Sequence, residues 1–191
     1  MPRPYLLLDV DGPLNPYRAL TPPPGYHQRE LREGDKTWNL LLNPQHAVEL
    51  NALAETFDLA WASSWEHGAN RLIAPALGLP SDLPVIVWPP AARIGGRQGA
   101  GGGARRTGLA TDLEDAASPL GAGVSWKTSH VADWVGERPF VWVDDEVGDA
   151  DRAYLAGRAG LGAHLLQLVA ADRGLEPADF AAIRAWAEAN C

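Results

Sequence analysis

Apolar positions in this chain fall into short runs, each stopped by polar residues, glycine or proline. The runs are Tyr5 to Leu8, Leu59 to Ala62, Pro84 to Trp88 and Phe140 to Val143, and a fifth, Leu165 to Val169, is interrupted only by Gln167. Continuous apolar strings of this length suit strands covered on both faces, as in a parallel sheet. Between them the spacing becomes helical. Ala47, Leu50, Leu53, Ala54 and Phe57 line one face behind Asn43-Pro44, a cap followed by proline at the first helical position. A second helix is predicted from about Gly68 to Leu77, stopped by Gly78 and Pro80. A third, capped by Thr128 or Ser129, runs through Val131, Trp134 and Val135 to Gly136, and a short one follows Asp149 and Asp151. The last spans about Pro177 to Ala189, with Phe180, Ile183, Trp186 and Ala187 facing inward. Strands alternating with helices predict an α/β fold, a three-layer sandwich with a five-stranded parallel sheet and helices on both faces.

Two stretches interrupt the alternation. Tyr26 to Leu31 and Thr37 to Leu42 flank a polar tip, the pattern of a β-hairpin. Placed directly after the first strand, it reads either as a flap over that strand's end or as a plain surface hairpin. Ala91 to Gly108 holds seven glycines and four arginines with no acid. This is the composition of a flexible basic loop, either a tolerated insertion or an arm that attracts anions.

Length and composition narrow the class. A chain of 191 residues, 46% hydrophobic and 21% charged, suits one domain spanning 1–191 that buries about 70% of its unfolded surface. The formal net charge of −8 disfavours non-specific binding along a nucleic-acid backbone. The single cysteine, Cys191, rules out a disulfide framework within one chain. No apolar run approaches a membrane span or a signal-peptide core, so a cytoplasmic protein with no membrane partner is expected. No obligate protein partner is implied.

The chemistry gathers where strands stop. The first run ends at Asp9-Val10-Asp11-Gly12, the second at Ser63-Ser64, the fourth at Asp144-Asp145. Parallel strands share a direction, so these ends meet on one edge, the edge where open α/β sheets bind ligands. Asp9 and Asp11, spaced i and i+2, project to the same side while the chain is extended. Any one of these pieces alone is equally well a cap or a solvated turn. Together they place four carboxylates close enough to require a cation, and an all-oxygen donor set favours Mg²⁺. Lys127, one of only two lysines, precedes the fourth strand and is either that site's countercharge or an ordinary surface residue.

This order, Asp-x-Asp-Gly after strand one, Ser after strand two, Lys before strand four and Asp-Asp after it, resembles the haloacid dehalogenase-like superfamily over Leu6 to Asp149. The resemblance implies a Rossmann-like sheet and a Mg²⁺-dependent phosphatase that hydrolyses a phosphomonoester through an aspartyl-phosphate. It implies Asp9 as nucleophile and metal ligand, and Asp11 as general acid and base with its main-chain carbonyl on the metal. Ser63 would bind the phosphoryl group, Lys127 would neutralise it, and Asp144 and Asp145 would hold Mg²⁺. Asp149 is a weaker candidate beyond them. Gly12, Ser64 and Trp65 are further candidates for substrate contact, with His67 and Asn70 also placed near the mouth. Trp65 either stacks on a substrate ring or packs against the next helix. Pro13 departs from the Thr or Val of many relatives but removes no catalytic atom. Neither insertion is large enough for a full cap domain, so an open site is expected, admitting a small phosphorylated molecule or a nucleic-acid end. Two alternatives accompany the phosphatase reading: a repair-like phosphatase of nucleic-acid ends, and a non-catalytic binding module that keeps the fold.

Overall fold

The computed structural model describes residues 2–89 and 121–190. The Gly/Arg-rich loop and most of the stretch after it lie outside the described residues. Four parallel strands form the central sheet: β1 (Tyr5–Leu8), β4 (Asp58–Trp61), β5 (Phe140–Asp144) and β6 (His164–Leu168), in the order β4-β1-β5-β6. Strand β1 lies in the middle, with Leu8 opposite Trp61 on one side and Val143 on the other. The register therefore brings Asp9 beside the end of β5, and the Asp9 N–H donates to Val143 O at 3.0 Å.

Alternate residues of each strand feed two separate cores, as period-two geometry requires. Leu6, Leu8, Trp61, Val141 and Val143 pack with α1 (Gln45–Leu53), α2 (Ala74–Leu77) and α5 (Pro177–Asn190). Leu7, Ala60, Phe140, Trp142 and Leu166 pack with α3 (Thr128–Val135) and α4 (Asp149–Ala156). The antiparallel hairpin β2 (His27–Glu33) and β3 (Lys36–Leu42) joins the first core through Trp38, Leu40 and Leu42. Of the eight tryptophans, Trp38, Trp61, Trp88 and Trp142 are buried and the other four pack against the two cores.

The expected five-stranded sheet is corrected to four strands among the described residues. Pro84 to Trp88 reaches the β4 edge but closes only one bridge, Val85 with Trp61, through Trp61 N–H to Pro84 O and Ile86 N–H to Trp61 O. The ladder stops there for local reasons. Pro84 has no N–H, and the Trp88 N–H is taken by Glu66 Oε1 at 3.0 Å.

Smaller differences have equally local causes. Asn43 Oδ1 accepts the Gln45 N–H just ahead of α1, but Pro44 rather than Asn43 holds the cap position, and the buried face also includes His46. The second helix opens as a π turn over Ala69–Ile73 before continuing as α2. Helix α3 is preceded by Lys127 rather than capped by Thr128 or Ser129, because the Thr128 hydroxyl is bonded to Asp151. Among the described residues no helix is long and apolar enough to cross a membrane.

Candidate active site at the carboxyl edge of the sheet

Asp9 follows β1, Asp144 ends β5, and Asp145 is the next residue. One carboxylate oxygen from each lies within 4.8 Å of the others, and Asp9 and Asp144 are buried. Lys127 is buried too, and its ammonium bridges Asp9 Oδ2 at 2.5 Å and Asp144 Oδ2 at 2.8 Å. The remaining contacts fix the carboxylate planes. Val10 N–H donates to Asp9 Oδ1 and Glu146 N–H to Asp144 Oδ1. The Tyr17 hydroxyl donates to Asp145 Oδ2 at 3.2 Å. Gly12 is required here: a Cβ at that position would come within 2.4 Å of the Asp145 side chain, and its φ of +92° is one that side-chain-bearing residues avoid.

The electrostatics are those of an uncompensated cluster. Burial raises the Asp145 pKa to about 6, with the Asp9 charge adding to the effect. Burial also raises Asp144, against the pull of Lys127. Burial draws the Lys127 ammonium down, yet Asp144 and Asp9 outweigh it and hold its pKa above the ordinary lysine value. With all three carboxylates ionised, one ammonium would leave a net charge of about −2, which a divalent cation would cancel. The donors are all carboxylate oxygens, so this acidic triad could hold a metal ion that takes hard oxygen ligands.

Asp11 stands apart from the triad. Its carboxylate turns to Asn15 Nδ2 at 2.8 Å and Trp65 Nε1 at 2.9 Å, so three carboxylates converge rather than the expected four. Burial, then the nearby Asp9 charge, raises its pKa. Ser63 is buried after β4, with Oγ accepting the Trp65 N–H, whereas Ser64 is exposed. Asn70 is structural, tying Trp61 Nε1 to Leu83 O, and His67 is exposed. Asp149 is corrected: its side chain is fully exposed and, among the described residues, pairs only with Arg152.

Sequence reasoning missed three supporting groups: Asn15, Tyr17 and Asp151. Asp151 is fully buried and accepts from Ser125 N–H, Gly148 N–H and the Thr128 hydroxyl, pinning the segment that carries Lys127. The only local signal for it was an acid in the first turn of a helix, which is common on exposed surfaces.

No protein-family model matches the chain, and neither a curated protein nor a solved structure matches it.

Proposed function

We propose that this chain is a Mg²⁺-dependent phosphomonoesterase of the haloacid dehalogenase-like type, with a Rossmann-like sheet and Asp9 as nucleophile. The observation that carries the reading is the buried Asp9 carboxylate, paired to Lys127 and pressed against Asp144 and Asp145. A carboxylate attacks an anionic phosphate only when neighbouring positive charge offsets their repulsion. Asp9, Asp144 and Asp145 would hold the Mg²⁺, which when bound supplies most of that charge.

The chain's own residues account for the remaining steps. An Asp9 oxygen forms a bond to phosphorus as the ester P–O bond breaks, and the electron pair leaves on the ester oxygen. Asp11 gives that oxygen its proton. Water then attacks the aspartyl-phosphate and gives a proton back to Asp11. The Asp9–phosphorus bond breaks, restoring the carboxylate and releasing inorganic phosphate. Lys127, bonded to Asp9, would neutralise the phosphoryl oxygens, and the Ser63 hydroxyl would donate to one of them. Acid and base help of this kind contributes about 10²–10⁴-fold.

The test is hydrolysis of p-nitrophenyl phosphate with Mg²⁺ and with EDTA. Turnover should require Mg²⁺ and fall by about 10³-fold or more in Asp9→Asn. Undiminished turnover in that variant would remove Asp9 as nucleophile, and Mg²⁺ binding without turnover would favour a non-catalytic module. A panel of small phosphomonoesters beside 3′- and 5′-phosphorylated oligonucleotides separates a metabolite phosphatase from one acting on nucleic-acid ends.

A further inference from the structure

Both oxygens of the Asp11 carboxylate are held by neutral donors, and both donors are fixed from the hairpin. Asn15 Nδ2 donates to Asp11 Oδ1, while Asn15 Oδ1 accepts the Leu41 N–H of β3 at 3.0 Å. That second bond sets which end of the amide faces the acid, since turning it over would put its N–H₂ against the Leu41 N–H. Trp65 Nε1 donates to Asp11 Oδ2, and the indole packs on Trp38 of β3 with ring centroids 5.6 Å apart. Trp65 is presented by a turn whose next residue, Glu66, adopts φ +45°. A side-chain-bearing residue keeps such a backbone only where its surroundings impose it.

We propose that Trp65 and Asn15 are positioning residues for Asp11, and that the hairpin sets the place of the acid through them. The inference rests on the reading of Asp11 as general acid and base. Each oxygen uses one lone pair for its clamp and keeps a second, so Asp11 carries the transferred proton without breaking either bond. The clamp fixes the carboxyl plane, which determines whether that proton points at the ester oxygen. A proton aimed off line is lost from the transition state rather than from substrate binding. Trp65 thus serves the acid rather than a substrate ring, and the hairpin does part of the work of a cap by holding a catalytic group instead of enclosing the substrate.

The leaving group distinguishes this role from a purely structural one. p-Nitrophenolate leaves without needing a proton, whereas the alkoxide of an alkyl phosphate such as glycerol phosphate requires one. In Trp65→Phe, which keeps a ring against Trp38 but removes the N–H, kcat/KM on the alkyl ester, which reports ester cleavage and not the later hydrolysis common to both substrates, should fall about tenfold more than kcat/KM on p-nitrophenyl phosphate. Asn15→Ala should show the same selectivity and serves if Trp65→Phe does not fold, and Trp38→Ala should show it more weakly. Equal losses of kcat/KM on the two esters would overturn the positioning role while leaving the phosphatase reading intact. A wild-type protein that turns over neither ester would overturn that reading, and this proposal with it.

Discussion

Asp144 and Asp151 are both fully buried aspartates on neighbouring elements, yet they are solvated by the protein in opposite ways. Asp151 accepts two backbone N–H groups and a hydroxyl, all neutral, with no other carboxylate among its bonded partners. Asp144 shares one lysine with Asp9 and lies against Asp145. The first arrangement satisfies a charge and fixes a loop. The second leaves charge unbalanced in a buried place, which folding alone has no reason to retain. A buried acid among donors is architecture, and a buried acid among acids is a place that could hold a cation.

The largest test of that contrast removes the shared countercharge. In Lys127→Met, Asp9 and Asp144 lose their common partner, so the metal-free protein should lose about 3–5 kcal/mol of stability. Mg²⁺ should restore part of that loss but not turnover. Urea titrations with EDTA and with Mg²⁺ measure both effects. A metal-free variant as stable as wild type would mean the cluster is not under the strain described.

The two aspartates should then separate. Asp151→Ala leaves buried donors unpaired and should cost about 1–3 kcal/mol whether or not Mg²⁺ is present. Asp144→Asn relieves repulsion and should cost less than Asp151→Ala in EDTA, while losing the stabilisation that Mg²⁺ gives the wild type. That stabilisation is about 2.7 kcal/mol at a hundredfold excess over Kd. Thermal melts of both variants with and without Mg²⁺ decide the point, and the reverse ranking in EDTA would break the comparison.

The smaller prediction concerns a buried ionisable group that forms no ion pair among the described residues and feels only the more distant charges of Glu49 and Asp179. His46 packs between Tyr26 and Phe180, with Nε2 at 3.2 Å from Leu175 O and Nδ1 unpartnered among the described residues. Burial lowers its pKa to about 4 from 6.5. Between those values the unfolded chain holds the proton and the folded chain does not, so stability falls as pH falls. The contribution is complete above pH 6.5 and largely gone by pH 4, about 3 kcal/mol in all. Asp145, raised to about 6, acts in the opposite direction, so the informative quantity is the wild-type slope minus that of His46→Leu. Parallel stability–pH curves would contradict a neutral His46.

How much of this was legible in the sequence depended on how local the physics was. Phe140 to Val143 announced a doubly buried strand because both of its faces are apolar, and the Asp-Asp at its end inherited a position from parallel topology. Pro84 to Trp88 read as a strand for the same reason and failed because a ladder also needs N–H groups, one absent at Pro84 and another diverted at Trp88. The pairing of Asp9 with Asp144 and Lys127 followed from the order of elements. The turning aside of Asp11 did not. The i, i+2 rule lapses where the chain leaves the strand, and the partner Trp65 lies 54 residues away. Asp149 and Asp151 look alike in sequence, and only the packing of α3 on α4 exposes one and buries the other.

The central claim, that Asp9, Asp144 and Asp145 form a divalent-metal site, is tested most directly by calorimetric titration of Mg²⁺ into the purified full-length protein near neutral pH. The wild type should bind one ion saturably, Asp151→Asn should still bind it, and Asp144→Asn should not. Absence of saturable binding in a folded wild type, or unchanged binding in Asp144→Asn, would contradict the account.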